Sequence, residues 1–153
     1  MEAKTFEQVV EETKGRKILV ANRGITARRI IRSIREELMA VPVLTVTDVD
    51  KTAPFTSGAQ ELILLGENPR AYLDIDFVLK LAKEQDVVAV HPGWGFASED
   101  AGFPKKCADK GIRFIGPPTE PMTLLGNKVK VRELARKLNV PVVPGSLDAV
   151  EVA

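Results

Sequence analysis

The sequence predicts an α/β domain with a doubly wound parallel sheet. Short apolar runs without polar alternation recur along the chain, as in strands buried on both faces. Segments of helical periodicity separate them, which is the alternation that builds parallel sheets. Turn chemistry falls after several of the runs, at Asn22-Arg23-Gly24, Pro92-Gly93 and Gly116-Pro117-Pro118.

In chain order, residues 1–15 read as a short amphipathic helix. Phe6, Val9 and Val10 stand at i, i+3 and i+4 among acidic residues, and Gly15 is the stop. Lys17–Ala21 (KILVA) is the first strand, followed by the Asn22-Arg23-Gly24 turn. Ile25–Met39 has apolar residues at 27, 30, 31, 34 and 38, which predicts a helix. Val41–Thr47 (VPVLTVT) is the next strand, with a polar loop through Asp48 and Asp50. Glu61–Leu65 is a third strand, and Gly66–Arg70 is a loop marked by Asn68-Pro69. Asp74 can cap a helix running to Gln85. Val87–His91 is a wholly apolar strand until its last residue. Ser98 is the expected cap of the next helix, with Glu99 and Asp100 in its first turn and Gly111 after its end. Arg113–Ile115 is a last short strand, and helices are expected over Thr119–Leu125 and Asn127–Leu138. The extended run VPVVPGS follows shortly before Ala153, as at the entry to a further domain of a longer chain.

Composition narrows the function classes. With 153 residues and 44% hydrophobic side chains, one domain can bury a core without covalent staples. Lys and Arg number 22 against 21 Asp and Glu, so no charge excess drives nucleic-acid binding by counterion release. No run approaches the length of a membrane span, and the N-terminus lacks an export signal. A single cysteine, Cys107, excludes an intrachain disulfide, and a reducing cytoplasm is the expected compartment. One histidine leaves no His-rich metal centre, and no metal ligands are assigned.

Neither standard phosphate loop is present. Gly111–Gly116 continues into Pro117-Pro118 where a Walker loop needs Lys-Ser/Thr, and Gly93-x-Gly95 meets Ser98 where a third glycine belongs. In an open parallel sheet, ligands sit beyond the carboxyl ends of the strands. The segments that look chemically loaded, Asn22-Arg23-Gly24, His91–Glu99 and Gly116-Pro117-Pro118, are all expected there. Each also has a plainer reading. The first is an anion seat at a helix N-terminus or simple turn chemistry. His91 is a pocket residue or a strand-end histidine bonded to backbone. Trp94 is a ligand-facing aromatic or a core plug. Glu99 is a ligand or a dipole partner. Arg28, Arg29, Arg32 and Arg35 give the first long helix a basic face, with Glu36 one turn from Arg32. That face is solvated, or it is an inter-subunit surface. Lys128 stands near a helix start, where the dipole disfavours a cation unless an anion joins it.

Taken in order, Lys17–Gly24 (KILVANRG), Ala27 with Arg29-Ile30-Ile31-Arg32, Ala89–Glu99 (AVHPGWGFASE), Phe114–Pro117 (FIGP), Leu125-Gly126 with Lys128, and Val140–Ser146 (VPVVPGS) resemble the N-terminal domain of the biotin carboxylase family. The resemblance implies a Rossmann-like pre-ATP-grasp domain over residues 16–146. A helical extension over 1–15 precedes it, and 147–153 begin a linker to an ATP-grasp domain. It implies ATP, Mg²⁺ and biotin as the parent enzyme's cofactors, with biotin carboxylated by bicarbonate within acyl-CoA or pyruvate carboxylases. The glycine-rich lid, the Mg²⁺ carboxylates and the main bicarbonate residues of that family lie in later domains, so the isolated chain is expected to be inactive.

By position, Lys128 matches the family lysine that reaches ATP phosphate. His91, Gly93, Trp94 and Glu99 match the biotin and bicarbonate pocket wall, where most members have tyrosine in place of Trp94. Arg29, Arg32 and Glu36 match a dimer interface of bacterial members. The implied partners are the ATP-grasp domain, biotin carboxyl carrier and carboxyltransferase domains or subunits, and a second copy. The sequence departs from the family pattern at Ile25 and Thr26, where glutamate usually follows NRG. Asp100 stands for asparagine and Asn127 for aspartate. A carbamoyl-phosphate synthase large-subunit domain and a free-standing binding or assembly module are the alternatives.

Overall fold

The computed structural model describes residues 4–144. The sheet has five parallel strands: β1 (Lys17–Val20), β2 (Val41–Val46), β3 (Glu61–Leu64), β4 (Ala89–His91) and β5 (Arg113–Phe114). Their order is β3-β2-β1-β4-β5, and every neighbouring pair is parallel. The chain winds outward from β1 to β3, then crosses back to add β4 on the other side of β1. The order therefore reverses between β1 and β4.

Period-two burial explains the unbroken apolar strands. Leu19, Val43, Ile63 and Val90 point to one face, and Ile18, Val20, Leu44, Val46 and Ala89 to the other. Helix α2 (Gly24–Glu36) covers the second face with Ala27, Ile31 and Ile34. Helices α3 (Ile75–Glu84) and α4 (Phe103–Asp109) cover the first, where Phe103 is packed on Phe114 with ring centroids 5.1 Å apart. The doubly wound prediction is thus realised. Cys107 lies in this layer, and burial pushes its thiol up to about 12, so it is no nucleophile.

Local signals hold for most elements. Thr5 and Gln8 form a capping box for α1 (Phe6–Thr13), and Asp74 caps α3 by accepting from Phe77 N–H. Asn127 caps α6 (Lys128–Lys137) by accepting from Val129 and Lys130 N–H. Helix α5 spans Thr119–Leu125 as expected.

Four expectations are corrected. Helix α2 stops at Glu36, because Met39 turns left-handed at φ 49°. β4 starts at Ala89, since Asp86 is left-handed at φ 57° and the strand register with β1 begins only at Ala89. Pro69–Leu73 is a 3₁₀ turn, capped by Asn68, where a loop was expected. Ser98 caps nothing: it lies in the 3₁₀ turn Phe96–Glu99, and α4 begins at Phe103. Asp100 makes a local turn ahead of α4, its carboxylate accepting from Gly102 N–H at 2.7 Å, and the helix itself follows Gly102 without a side-chain cap. Pro104 in the first turn of α4 loses no helical hydrogen bond there. Gly145 and Ser146 of the expected C-terminal run, residues 147–153 and residues 1–3 lie outside the described residues. Among the described residues no helix is long and apolar enough to cross a membrane.

Candidate functional site

The three loaded segments follow β1, β4 and β5, at the carboxyl edge of the sheet. Two of them are locked together by one side chain. Asn22 is 2% exposed. Its amide donates to the carbonyl of Pro92 at 2.7 Å and to that of Trp94 at 2.9 Å. Its own oxygen accepts from Arg23 N–H at 2.8 Å. One buried side chain thus satisfies three backbone groups, two of them some seventy positions away in sequence. The plain turn reading of Asn22 is replaced by that of a cross-strand clamp.

The clamp needs its partner to be glycine. Gly93 has φ 69°, and a Cβ there would stand 2.6 Å from Asn22 Nδ2 and 2.8 Å from Thr26 Cγ2. Gly95 (φ 67°) and Phe96 (φ 50°) continue the left-handed path, which turns the backbone outward and lifts Trp94 off the fold. Trp94 is 78% exposed, so it is not a core plug. It shares an open cavity of about 310 Å³ with Asn22, Arg23 and Thr26.

At the far end of the same loop, Glu99 and Lys128 line one cavity of about 390 Å³, with Pro117, Met122 and Leu125 as its apolar wall. Lys128 opens α6 and is exposed. The His91–Glu99 loop therefore connects the Asn22-Arg23-Gly24 turn to the Lys128 segment and the Gly116-Pro117-Pro118 turn.

His91 sits apart from this line. Its Nδ1 accepts from Gly93 N–H at 3.0 Å, and its ring faces a groove of about 340 Å³ beside Arg29, Ile34 and Ile115. The backbone-bonded reading is the observed one. Burial holds the imidazole below its ordinary value. The unfolded chain takes the proton first as pH drops. Stability from neutral His91 is therefore complete above about pH 6.5 and is lost as pH falls through the folded value. As the chain has one histidine, an NMR titration reads it alone. The midpoint is expected below about 6.5, and one at or above that value contradicts the buried acceptor role.

Arg29, Arg32 and Glu36 lie on the exposed face of α2. Arg32 pairs with Glu36 at 2.8 Å, and the cavity beside them, also lined by Ile25, Arg28 and Arg35, holds about 380 Å³. This face points away from the core and is separate from the Glu99–Lys128 cavity.

Sequence reasoning missed Asp50 and Tyr72. Asp50 is 5% exposed and accepts from Arg23 at 2.6 Å, Tyr72 at 2.8 Å and Thr47 at 3.3 Å. Burial pushes its carboxyl upward, but the hydrogen bonds, first that from Arg23, outweigh burial and leave it below the ordinary carboxylate value. Burial, reinforced by the bond to Asp50, pushes Tyr72 up to about 12. The available signal was that Asp50 follows β2 on the ligand side of the sheet and Tyr72 is the one tyrosine. Among the described residues no group of three or more His, Cys, Asp or Glu converges as a metal ion requires.

Comparison with known proteins places this geometry. The family described as "Biotin carboxylase, N-terminal domain" matches residues 14–122. Pyruvate carboxylase of Bacillus subtilis is 43% identical over 144 residues, covering 88% of this chain and 12% of that protein. The biotin carboxylase domain of a single-chain bacterial carboxylase superposes with a TM-score of 0.83 at 38% identity, covering 88% of this chain and 31% of that one. The biotin carboxylase domain dimer of Hydrogenobacter thermophilus 2-oxoglutarate carboxylase, solved with MgADP, ADP and bicarbonate, superposes with a TM-score of 0.81 at 39% identity. It is covered over 29% of its length, and this chain over 86%. The chain thus spans less than a third of each of these relatives.

Proposed function

The chain belongs to the biotin carboxylase N-terminal domain family, and on that premise we propose that residues 16–146 form one wall of the active chamber of an ATP-dependent biotin carboxylase. The parent enzyme would carboxylate biotin with bicarbonate and ATP, within an acyl-CoA or pyruvate carboxylase. The observation that carries the reading is the continuity of the His91–Glu99 loop. It is clamped to the Asn22-Arg23-Gly24 turn at one end and shares a cavity with Lys128 at the other.

In this reading Lys128 meets ATP phosphate. An exposed ammonium at the start of α6 suits a polyanion, because the helix N-terminus adds its own attraction to the same charge. ATP supplies the phosphoryl group that activates bicarbonate. This chain's residues bind and exclude water: Lys128 orients phosphate, and Trp94, with Gly93 and Glu99 in the same loop, walls the pocket. Positioning and electrostatics are the protein's contribution to such chemistry. The described residues do not fit Mg²⁺, whose ligands we assign to the ATP-grasp domain of the parent chain. That domain would cover the exposed apolar side chains Leu125, Leu138, Val140 and Val143. The Arg29–Arg32–Glu36 face is assigned to a homodimer contact. Carrier and carboxyltransferase domains complete the cycle. The lone, buried Cys107 suits the cytoplasm.

Two measurements test the proposal. In the intact carboxylase carrying this domain, Lys128→Ala is expected to weaken ATP use about tenfold or more, the scale of a lost charge-assisted contact. Wild-type affinity for ATP together with wild-type turnover would remove the phosphate role. The 153-residue chain alone is expected to show no biotin- and bicarbonate-dependent ATP turnover, and measurable turnover refutes that division of labour.

A further inference from the structure

We infer that Asp50 and Tyr72 are positioning residues that hold the Trp94 loop and the Arg23 guanidinium in one fixed relation. The inference rests on the reading of that loop as a pocket wall. Asp50 uses both carboxylate oxygens: Oδ1 accepts from Arg23 Nη2 at 2.6 Å, and Oδ2 accepts from Tyr72 Oη at 2.8 Å. Tyr72 Oη in turn accepts from Thr47 N–H at 3.2 Å, which fixes the phenol to the end of β2. The Tyr72 ring packs on Phe96, with centroids 5.5 Å apart and planes tilted by 50°.

Phe96 is where the loop needs support. It holds φ 50° without being glycine, a conformation that costs energy and persists only when neighbours impose it. The Asn22 clamp holds the loop at the carbonyls of Pro92 and Trp94, and the Tyr72 ring holds it at Phe96. Only Gly95 lies between these two anchors, and the Trp94 side chain projects beside it. Arg23 and Phe96 line the cavity that holds Trp94, and both depend on the same carboxylate. Arg23 keeps an exposed side, so Asp50 aims the cation without consuming it. A single buried acid therefore orients the charged and the aromatic sides of one cavity.

The test is residue-resolved hydrogen exchange on the 153-residue chain, without nucleotide, so its outcome is independent of the Lys128 test. Tyr72→Phe keeps the ring and removes the hydroxyl, and Asp50→Asn keeps the shape and removes the charge. In Tyr72→Phe the amides of Ser98 and Asp100, which bond to Gly95 and Ala97 carbonyls, are expected to exchange about fivefold faster, the scale of one lost hydrogen bond. The amides of β1 and β2 are expected to keep wild-type rates, and the Trp94 indole resonance to broaden. Asp50→Asn is expected to act in the same direction. If Asp50→Asn does not fold, Tyr72→Phe decides. Wild-type exchange in the loop, or equal acceleration in loop and strands, overturns the inference, because the first shows no coupling and the second only a general loss of stability.

Discussion

Gly93→Ala is expected to destabilise the fold by about 3 kcal/mol. Alanine there adds the strain of a left-handed backbone, on the order of 1–2 kcal/mol, to an overpacking cost of similar size. The Cβ would fall 2.6 Å from Asn22 Nδ2, 2.8 Å from Thr26 Cγ2 and 2.9 Å from Asn22 Cγ. Asn22 is buried and bonded on three sides, so it has no free rotamer to retreat into. The loop must move instead, and the bonds to Pro92 and Trp94 carbonyls lengthen together. Denaturant unfolding measures the loss, and the Asn22 side-chain amide resonances report the displaced clamp. A change under about 0.5 kcal/mol, within the range of an ordinary surface substitution, would show that the interlock is not tight.

Asn22→Ala is expected to cost about 2–4 kcal/mol. It leaves the buried Pro92 carbonyl and the part-buried Trp94 carbonyl and Arg23 N–H without their partner, and each unsatisfied buried group carries about 1–3 kcal/mol, less where water can reach it. Asn22→Asp is nearly isosteric and separates the chemistry from the shape. A carboxylate can still accept from Arg23 N–H, but it donates nothing and would face two carbonyl oxygens. Its expected loss at neutral pH is at least that of alanine. If aspartate is tolerated at pH 7, the amide is not the element that joins the strand ends. Both variants are read by unfolding midpoints and by Trp94 emission, since Trp94 is the one tryptophan of the chain.

The sheet was legible because burial on both faces writes itself as uninterrupted apolar runs: Ile18, Leu19 and Val20 need no alternation when α2 lies on one side and α3 on the other. Asp74 and Asn127 were legible as caps because capping is a contact over two or three residues. Ser98 misled for a related reason. The residue type was right, but positive φ at Gly95 and Phe96 starts a 3₁₀ turn ahead of Ser98 and takes that residue into it, and α4 begins later without a side-chain cap. Asn22 was visible only as a turn residue, since its partners lie about seventy positions on. Asp50 and Tyr72 were legible only singly, as an acid after β2 and a lone tyrosine, because their meeting depends on how β2 and the 3₁₀ turn at Pro69 stack. Family resemblance supplied the roles proposed for Lys128 and Trp94, and the geometry supplied the loop that runs between their two cavities.

The reversal of strand order between β1 and β4 has a consequence for what this domain can hold. In dinucleotide-binding sheets that parting of the strands is left vacant by glycines, and a pyrophosphate settles into it. Here a carboxamide has taken the seat: Asn22 reaches across the parting and is sealed over by Gly93 and Thr26. That parting is filled by protein, so in the proposed reading a nucleotide lies outside the sheet, against the Glu99–Lys128 cavity and beside the Trp94 loop, and is enclosed by the ATP-grasp domain. Where those sheets open a cleft, this one presents a filled lintel.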